Sequence, residues 1–276
     1  MEKNRQMNDW IVRYGFLLKK RNTDKQKDKF IQTFLSDILT IRDDINVIEI
    51  EENKRKYHNI YIGDVSKADK VITTYFDTPI VSFGDYSFSD IEKNKKNTLI
   101  RIAIESILAF GCGVGGFFLL MNTFEGGLLT TFLTVFALGF FFLFNGIVKG
   151  RADSKTQVRN TSSLIEVLCL IAKYKKNKKI AFAVIDGGCS NQIGLAALSS
   201  NVKQNSEIIF LDCVGLNSNM SIGEGKLSGF SGKVIRVQPD KESLTKHDLS
   251  EKIESETLLR QRKVIETMLE GKSCKF

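Results

Sequence analysis

Histidine is nearly absent: the 276-residue chain has two, His58 and His247. Proline is as scarce, and there is one tryptophan, Trp10. The five cysteines, Cys112, Cys169, Cys189, Cys213 and Cys274, form no CxxC pair or other zinc spacing, which excludes thiolate zinc modules. They read as reduced, buried thiols, one of them inside a membrane-length apolar run. No Ser-His-Asp set can be assembled, because His58 falls in a strand remote from any nucleophile motif. Repeats and low-complexity tracts are missing too. Met1 to Trp10 is polar and lacks the apolar core of a signal peptide, so none is expected.

What the chain has in abundance is apolar sequence at its centre, from Leu99 to Val148. A bilayer core about 30 Å thick needs about 20 apolar residues at helical rise. Two runs meet that length, 99–121 and 128–148, joined by turn-forming residues from Asn122 to Gly127. The expectation is a transmembrane hairpin inside an otherwise polar chain; buried globular helices are the competing reading. Lys93, Lys95, Lys96 and Arg101 precede the first span, and Lys149 and Arg151 follow the second. The turn carries Glu125 and no cation. Positive flanks stay inside, so a multi-pass protein of the plasma membrane with both termini cytoplasmic is expected.

The net charge of +8 gathers beside the hairpin and in the run Ala172 to Lys179. Anionic lipid headgroups explain it more simply than nucleic acid, and no nucleic-acid partner is expected. Glu105 lies one helical turn beyond Arg101. Either it is an intramembrane functional carboxylate or the two form an i,i+4 pair, with Arg101 reaching back to the cytoplasm. Gly111-Cys112-Gly113-Val114-Gly115-Gly116 matches a dinucleotide pattern, but no strand precedes it. Its physical reading is a GxxxG contact through Gly111 and Gly115, with the second span as the expected partner and another protein as the alternative. Gly223 to Lys233 fails the phosphate-loop spacing and reads as a flexible loop.

Outside the hairpin, helical spacing runs from Asn8 to about Lys20, and from Asn22-Thr23 through Leu39. Three strands follow around Val47–Ile50, Tyr57–Ile62 and Val71–Phe76. Beyond the hairpin come a helix over Ser162–Lys173, a strand to Asp186 and a helix from Asn191. Strands at Ser206–Val214 and Val234–Val237 and a closing helix over Leu258–Leu269 complete the order. Unalternating strands between helices indicate a covered α/β sheet. We expect one domain, residues 1–96 and 150–276, interrupted by the hairpin at 97–149.

The words at the ends of these elements resemble the co-catalytic zinc aminopeptidases, a group that includes glutaminyl cyclases, the transferrin receptor ectodomain and nicastrin. The family's His-x-Asp reads Tyr75-Phe76-Asp77 here, with tyrosine at the ligand position. Its Asp-Asn-x-Ser-Gly reads Arg159-Asn160-Thr161-Ser162-Ser163, with arginine where a carboxylate bridges the metals. Its Phe-Asp-Gly-Glu-Glu reads Ile185-Asp186-Gly187-Gly188-Cys189, without the general base and the next ligand. Its Leu-Asp-Met-Val-Gly survives as Leu211-Asp212-Cys213-Val214-Gly215. Its C-terminal His-Thr word begins at Leu244-Thr245.

The resemblance implies a zinc-peptidase-like three-layer αβα domain with a largely parallel central sheet. It also implies a catalytically degenerate site, because of five ligand positions only Asp212 keeps a ligand. The expected function is a scaffold or accessory subunit of a membrane complex in transport or processing, without a cofactor. Its partners are then the bilayer and another membrane protein. Nicastrin and the transferrin receptor imply the same use of the fold as a binding domain. The alternative is an active membrane metallopeptidase whose zinc sits on a rearranged set, Asp77, Cys189, Asp212 and His247. A receptor using the old cleft is a third possibility. Arg159 is expected to place its charge in the former metal position, facing Asp212 and Asp77. Since the hairpin falls between Asp77 and Arg159, the site's rim is expected to face the bilayer.

Overall fold

The computed structural model describes residues 2–189, 191–225, 227 and 230–270. Cys274 and part of the Gly223–Lys233 loop lie outside them. The chain divides into two compact units, Met1–Pro79 with Ser154–Phe276, and Ile80–Asp153.

The first unit is built on a seven-stranded sheet: β1 (Ile45–Glu52), β2 (Arg55–Ile62), β3 (Lys70–Tyr75), β4 (Ile180–Ile185), β5 (Glu207–Leu211), β6 (Met220–Gly225) and β7 (Lys233–Pro239). Their spatial order is β1-β2-β4-β3-β5-β7-β6. The central four, β4, β3, β5 and β7, are parallel; β1, β2 and β6 run antiparallel to their neighbours. Gly223–Gly225, expected in a loop, are the end of β6.

Alternation along the central strands sorts side chains onto two faces. Ile72, Phe182, Val184, Ile209 and Val237 pack with helices α1 (Glu2–Val12), α2 (Asp24–Leu39), α5 (Ser163–Lys173) and α8 (Ser255–Leu269). Val71, Ala181, Ala183, Ile185, Ile208 and Phe210 pack with Leu195 and Leu198 of α6 (Ile193–Asn201). The three-layer α/β arrangement with a mostly parallel sheet is therefore present. Both faces of the central strands are covered, which is why those strands are apolar without alternation. The helix expected from Asn8 to Lys20 instead stops at Val12, and a π-helical turn follows over Arg13–Leu17.

The second unit contains α3 (Ile91–Thr123) and α4 (Gly126–Val148), the two helices long and apolar enough to cross a membrane. The expected six-residue turn shrinks to Phe124 and Glu125, because Asn122 and Thr123 stay helical. Thr123, the last residue of α3, donates its hydroxyl to the Leu119 carbonyl at 2.7 Å, so its polar group is satisfied within the helix. Glu105 is shared: Arg101 Nε donates to one oxygen at 2.9 Å and Arg151 to the other at 3.0 Å. The carboxylate thus pairs with Arg101, as one reading had it, and also ties the start of α3 to the chain after α4.

The glycine contact needs correction. A Cβ on Gly111 or Gly115 would meet nothing within 4 Å. The residues against α4 are Gly113 and Gly116, where a Cβ would come within 2.4 Å of Phe140 and 2.7 Å of Phe136. Each helical residue turns about 100°, so shifting a contact by one or two positions moves it to another face. Gly111 and Gly115 do not form the contact between the spans.

Candidate functional site

The carboxyl ends of parallel strands in an open α/β sheet collect the loops that bind ligands. Here β3 ends in Tyr75 and leads to Asp77, β4 leads to Asp186-Gly187-Gly188-Cys189, and β5 leads to Asp212-Cys213. A second π-helical turn, Val158–Ser162, enters α5 and carries Arg159. Such turns occur frequently at functional sites.

Arg159, Tyr75 and Asp212 form a chain. Arg159 Nε donates to the Tyr75 hydroxyl at 3.2 Å, and that hydroxyl donates to Asp212 Oδ1 at 2.8 Å. All three are buried. The arginine charge expected to face Asp212 therefore reaches it by way of a phenol. Gly188, at the general-base position, lies against that same phenol: a Cβ built there would fall 2.2 Å from Tyr75 Cβ. Leu244, at the last histidine position, is a fully buried core residue.

Asp77 accepts the Cys189 amide on both carboxylate oxygens, at 3.3 and 3.1 Å. The Cys189 thiol donates to the Asp77 carbonyl at 3.1 Å. Burial, with Asp186 nearby, pushes the Asp77 carboxyl up to about 7, against the lowering influence of Lys27 and Arg159. Burial and the Asp77 charge also push the Cys189 thiol up, and burial with Asp212 does the same to Cys213. In the absence of a metal both cysteines are therefore held as neutral thiols.

The Asp77 shift has a pH signature. Unfolded, its carboxyl titrates near its ordinary value of 3.8; folded, near 7. Between these values the folded state binds the extra proton, so this group's stabilisation is complete at low pH, falls as pH rises, and levels off above about 7. Replacing Asp77 by Asn should flatten that part of a melting-temperature profile. Parallel profiles for parent and variant would refute the shift.

Two cations at the site are invisible to sequence reasoning. Lys27 Nζ lies 2.7 Å from the wholly buried Asp186. Arg21, also wholly buried, donates to the carbonyls of Phe76, Tyr14, Leu18 and Asn160, and to the Thr161 hydroxyl. Burial lowers it to about 10, so it stays charged at neutral pH. In the sequence these residues belong to a cation-rich polar stretch that reads as surface. Asn59 also escaped notice; it receives the Asp186 amide at 3.1 Å and donates to the Gly194 carbonyl at 2.8 Å.

Two zinc ions need His and carboxylate ligands, about four apiece with sharing. This donor set does not fit them: it offers carboxylates and two cysteines but no histidine, and Arg159 brings a fixed positive charge among them. The rearranged set is not assembled either. Among the described residues, the cluster that brings three ligand-type side chains within 4.8 Å is His247, Asp248 and Glu251, at the surface. His247 sits in the short helix α7 (Lys246–Ser250), whose capping box uses Thr245 and Asp248, and Asp248 also pairs with Lys241 at 2.8 Å. Leu244 turns into the core, whereas helix α7, starting two residues later, carries His247 to the exposed side.

No family model and no curated protein matches the chain. Solved structures do. A glutaminyl cyclase from Porphyromonas gingivalis superposes with a TM-score of 0.56 at 10% identity, over 97% of this chain and 98% of that one. A glutaminyl cyclase from Bacteroides thetaiotaomicron bound to N-acetylhistamine gives 0.53 at 11% identity, over 95% and 94%. A Zn-dependent exopeptidase from Parabacteroides distasonis gives 0.51 at 11% identity, over 96% of both chains. The fold of this chain is the one shared by these zinc-dependent exopeptidase and glutaminyl cyclase structures.

Proposed function

We propose that the protein is a catalytically inactive form of this fold, held in the cytoplasmic membrane by the α3–α4 hairpin and serving as a scaffold or accessory subunit of a membrane complex. The single observation that carries this reading is the occupied site: Tyr75 fills the space beside Gly188 and links Arg159 to Asp212. A hydrolytic site of this type needs a general base and a metal-activated water. Glycine supplies no base, and the guanidinium repels cations. The basic flanks of the hairpin support cytoplasmic placement of the first unit.

The test is purification in a mild detergent, followed by metal analysis, assays on aminoacyl and N-terminal glutaminyl peptides, and identification of co-purifying proteins. Zinc well below one ion per chain, no turnover and a membrane protein recovered in constant ratio are expected. Stoichiometric zinc with turnover would instead establish the metallopeptidase reading, and repeated recovery of the chain alone would remove the scaffold role.

A further inference from the structure

The first unit carries an exposed apolar tip that its core does not use. Val12 and Phe16 are each 52% exposed and Leu17 is 74% exposed. The tip is held in place rather than frayed. The Leu18 amide bonds to the Arg13 carbonyl at 2.8 Å, an i→i+5 step that brings Leu17 to the side of Val12. Tyr14 and Leu18 on either side are buried, and Asp37 of α2 accepts from Arg13 and from the Tyr14 hydroxyl. Lys19, half-buried, and Lys20, exposed, follow.

The hydrogen bonds of this segment show where it lies on the first unit. The chain leaves that unit after Pro79 and re-enters at Ser154. Thr78, the last residue but one before the exit, exchanges hydrogen bonds with Lys19 and Arg21: its hydroxyl donates to the Lys19 carbonyl at 3.1 Å and accepts the Arg21 amide at 2.9 Å. Gln157, just after re-entry, donates to the Gly15 carbonyl at 3.0 Å. Both crossings toward the membrane-length helices are therefore bonded to the stretch that presents Phe16 and Leu17.

We propose that this tip is a membrane-interface contact: Phe16 and Leu17 enter the headgroup region of an anionic bilayer, with Lys19 and Lys20 on its phosphates. Two large apolar side chains beside paired lysines form the pattern that suits such a surface. The inference rests on the membrane reading of the hairpin, and its test separates the two.

Single tryptophans are introduced into the full chain, whose native Trp10 is buried and provides a constant background. The variants are Leu17→Trp, Phe141→Trp in the second span, and Asn205→Trp in the exposed turn before β5, at the amino ends of the parallel strands, opposite the end from which β3 leads to Thr78. Each is placed in phosphatidylcholine–phosphatidylglycerol nanodiscs, with and without lipid brominated high on the acyl chain. The added emission of Leu17→Trp should fall to less than half with bromine, as should that of Phe141→Trp, while Asn205→Trp stays unchanged. Adding Lys19→Glu and Lys20→Glu should restore most of the Leu17→Trp emission.

Quenching of Phe141→Trp without Leu17→Trp would overturn this contact and leave the hairpin reading intact. Loss of both would remove the membrane reading itself. Concentration-dependent blue-shifted Leu17→Trp emission, indifferent to bromine, would assign the tip to a second copy of the chain and also overturn the proposal.

Discussion

Arg159→Ala should destabilise the first unit by about 3–5 kcal/mol, the usual cost of removing one partner from a buried charge cluster. Arg159 is 9% exposed, and its Nε donates to the Tyr75 hydroxyl. Its charge also lowers the titration of Asp77 and of the Cys189 and Cys213 thiols. Without it, Asp212 keeps the Tyr75 hydroxyl but loses the buried cation linked to it through that hydroxyl. Tyr75→Phe should cost less, about 1–3 kcal/mol, because it strands hydrogen-bonding groups without removing charge. Arg159→Lys should fall between parent and alanine variant, since a point charge cannot reproduce the guanidinium fork. Denaturant melts of the purified chain, followed by a signal from the α/β unit, measure all three. An unchanged midpoint for Arg159→Ala would mean that the arginine does not hold the former metal position together.

The second large effect is expected at Gly188. An alanine there puts Cβ 2.2 Å from Tyr75 Cβ and 2.7 Å from Cγ. Tyr75 cannot swing aside at Cβ without moving β3, which is paired on both sides, with β4 and β5. Overpacking costs about 1–3 kcal/mol and sometimes more; with the clash at a strand-anchored Cβ, the upper end is expected. Combining Gly188→Ala with Tyr75→Gly should cost less than the two single changes summed, because glycine at 75 removes both the Cβ and the ring that the new methyl strikes. Strict additivity would show that the two residues do not compete for the same space. The same geometry explains why restoring a glutamate at position 188 alone should not restore a base: tyrosine occupies the volume its stem requires.

Much of the fold was legible because its signals are local. Unbroken apolar strands at Ile180–Ile185 and Glu207–Leu211 read as strands of a covered sheet, and packing on both of their faces makes them so. Two apolar runs of membrane length read as two long helices. Residue identities at the strand ends were enough to set Tyr75, Arg159, Gly188 and Leu244 against the residues that the resemblance expects there. Helix phase was less legible. The four-residue glycine spacing singled out Gly111 and Gly115, whereas packing selects Gly113 and Gly116, a choice made by the facing Phe136 and Phe140. His247 was similarly misplaced, because proximity in sequence to Leu244 says nothing about direction once a new helix begins.

By itself the sequence determined that histidine is limited to His58 and His247, and that two membrane-length apolar runs interrupt an α/β pattern. Composition and short-range periodicity are sufficient for both. Only the tertiary structure decided which side chains meet around the carboxyl ends of the parallel strands. Arg21 and Lys27, drawn from a polar stretch that reads as surface, become buried partners of backbone carbonyls and of Asp186. Tyr75 joins Arg159 to Asp212 across 84 and 137 residues of chain. Burial makes such contacts strong, and burial is a property of the packed sheet and helices, which no window of sequence contains.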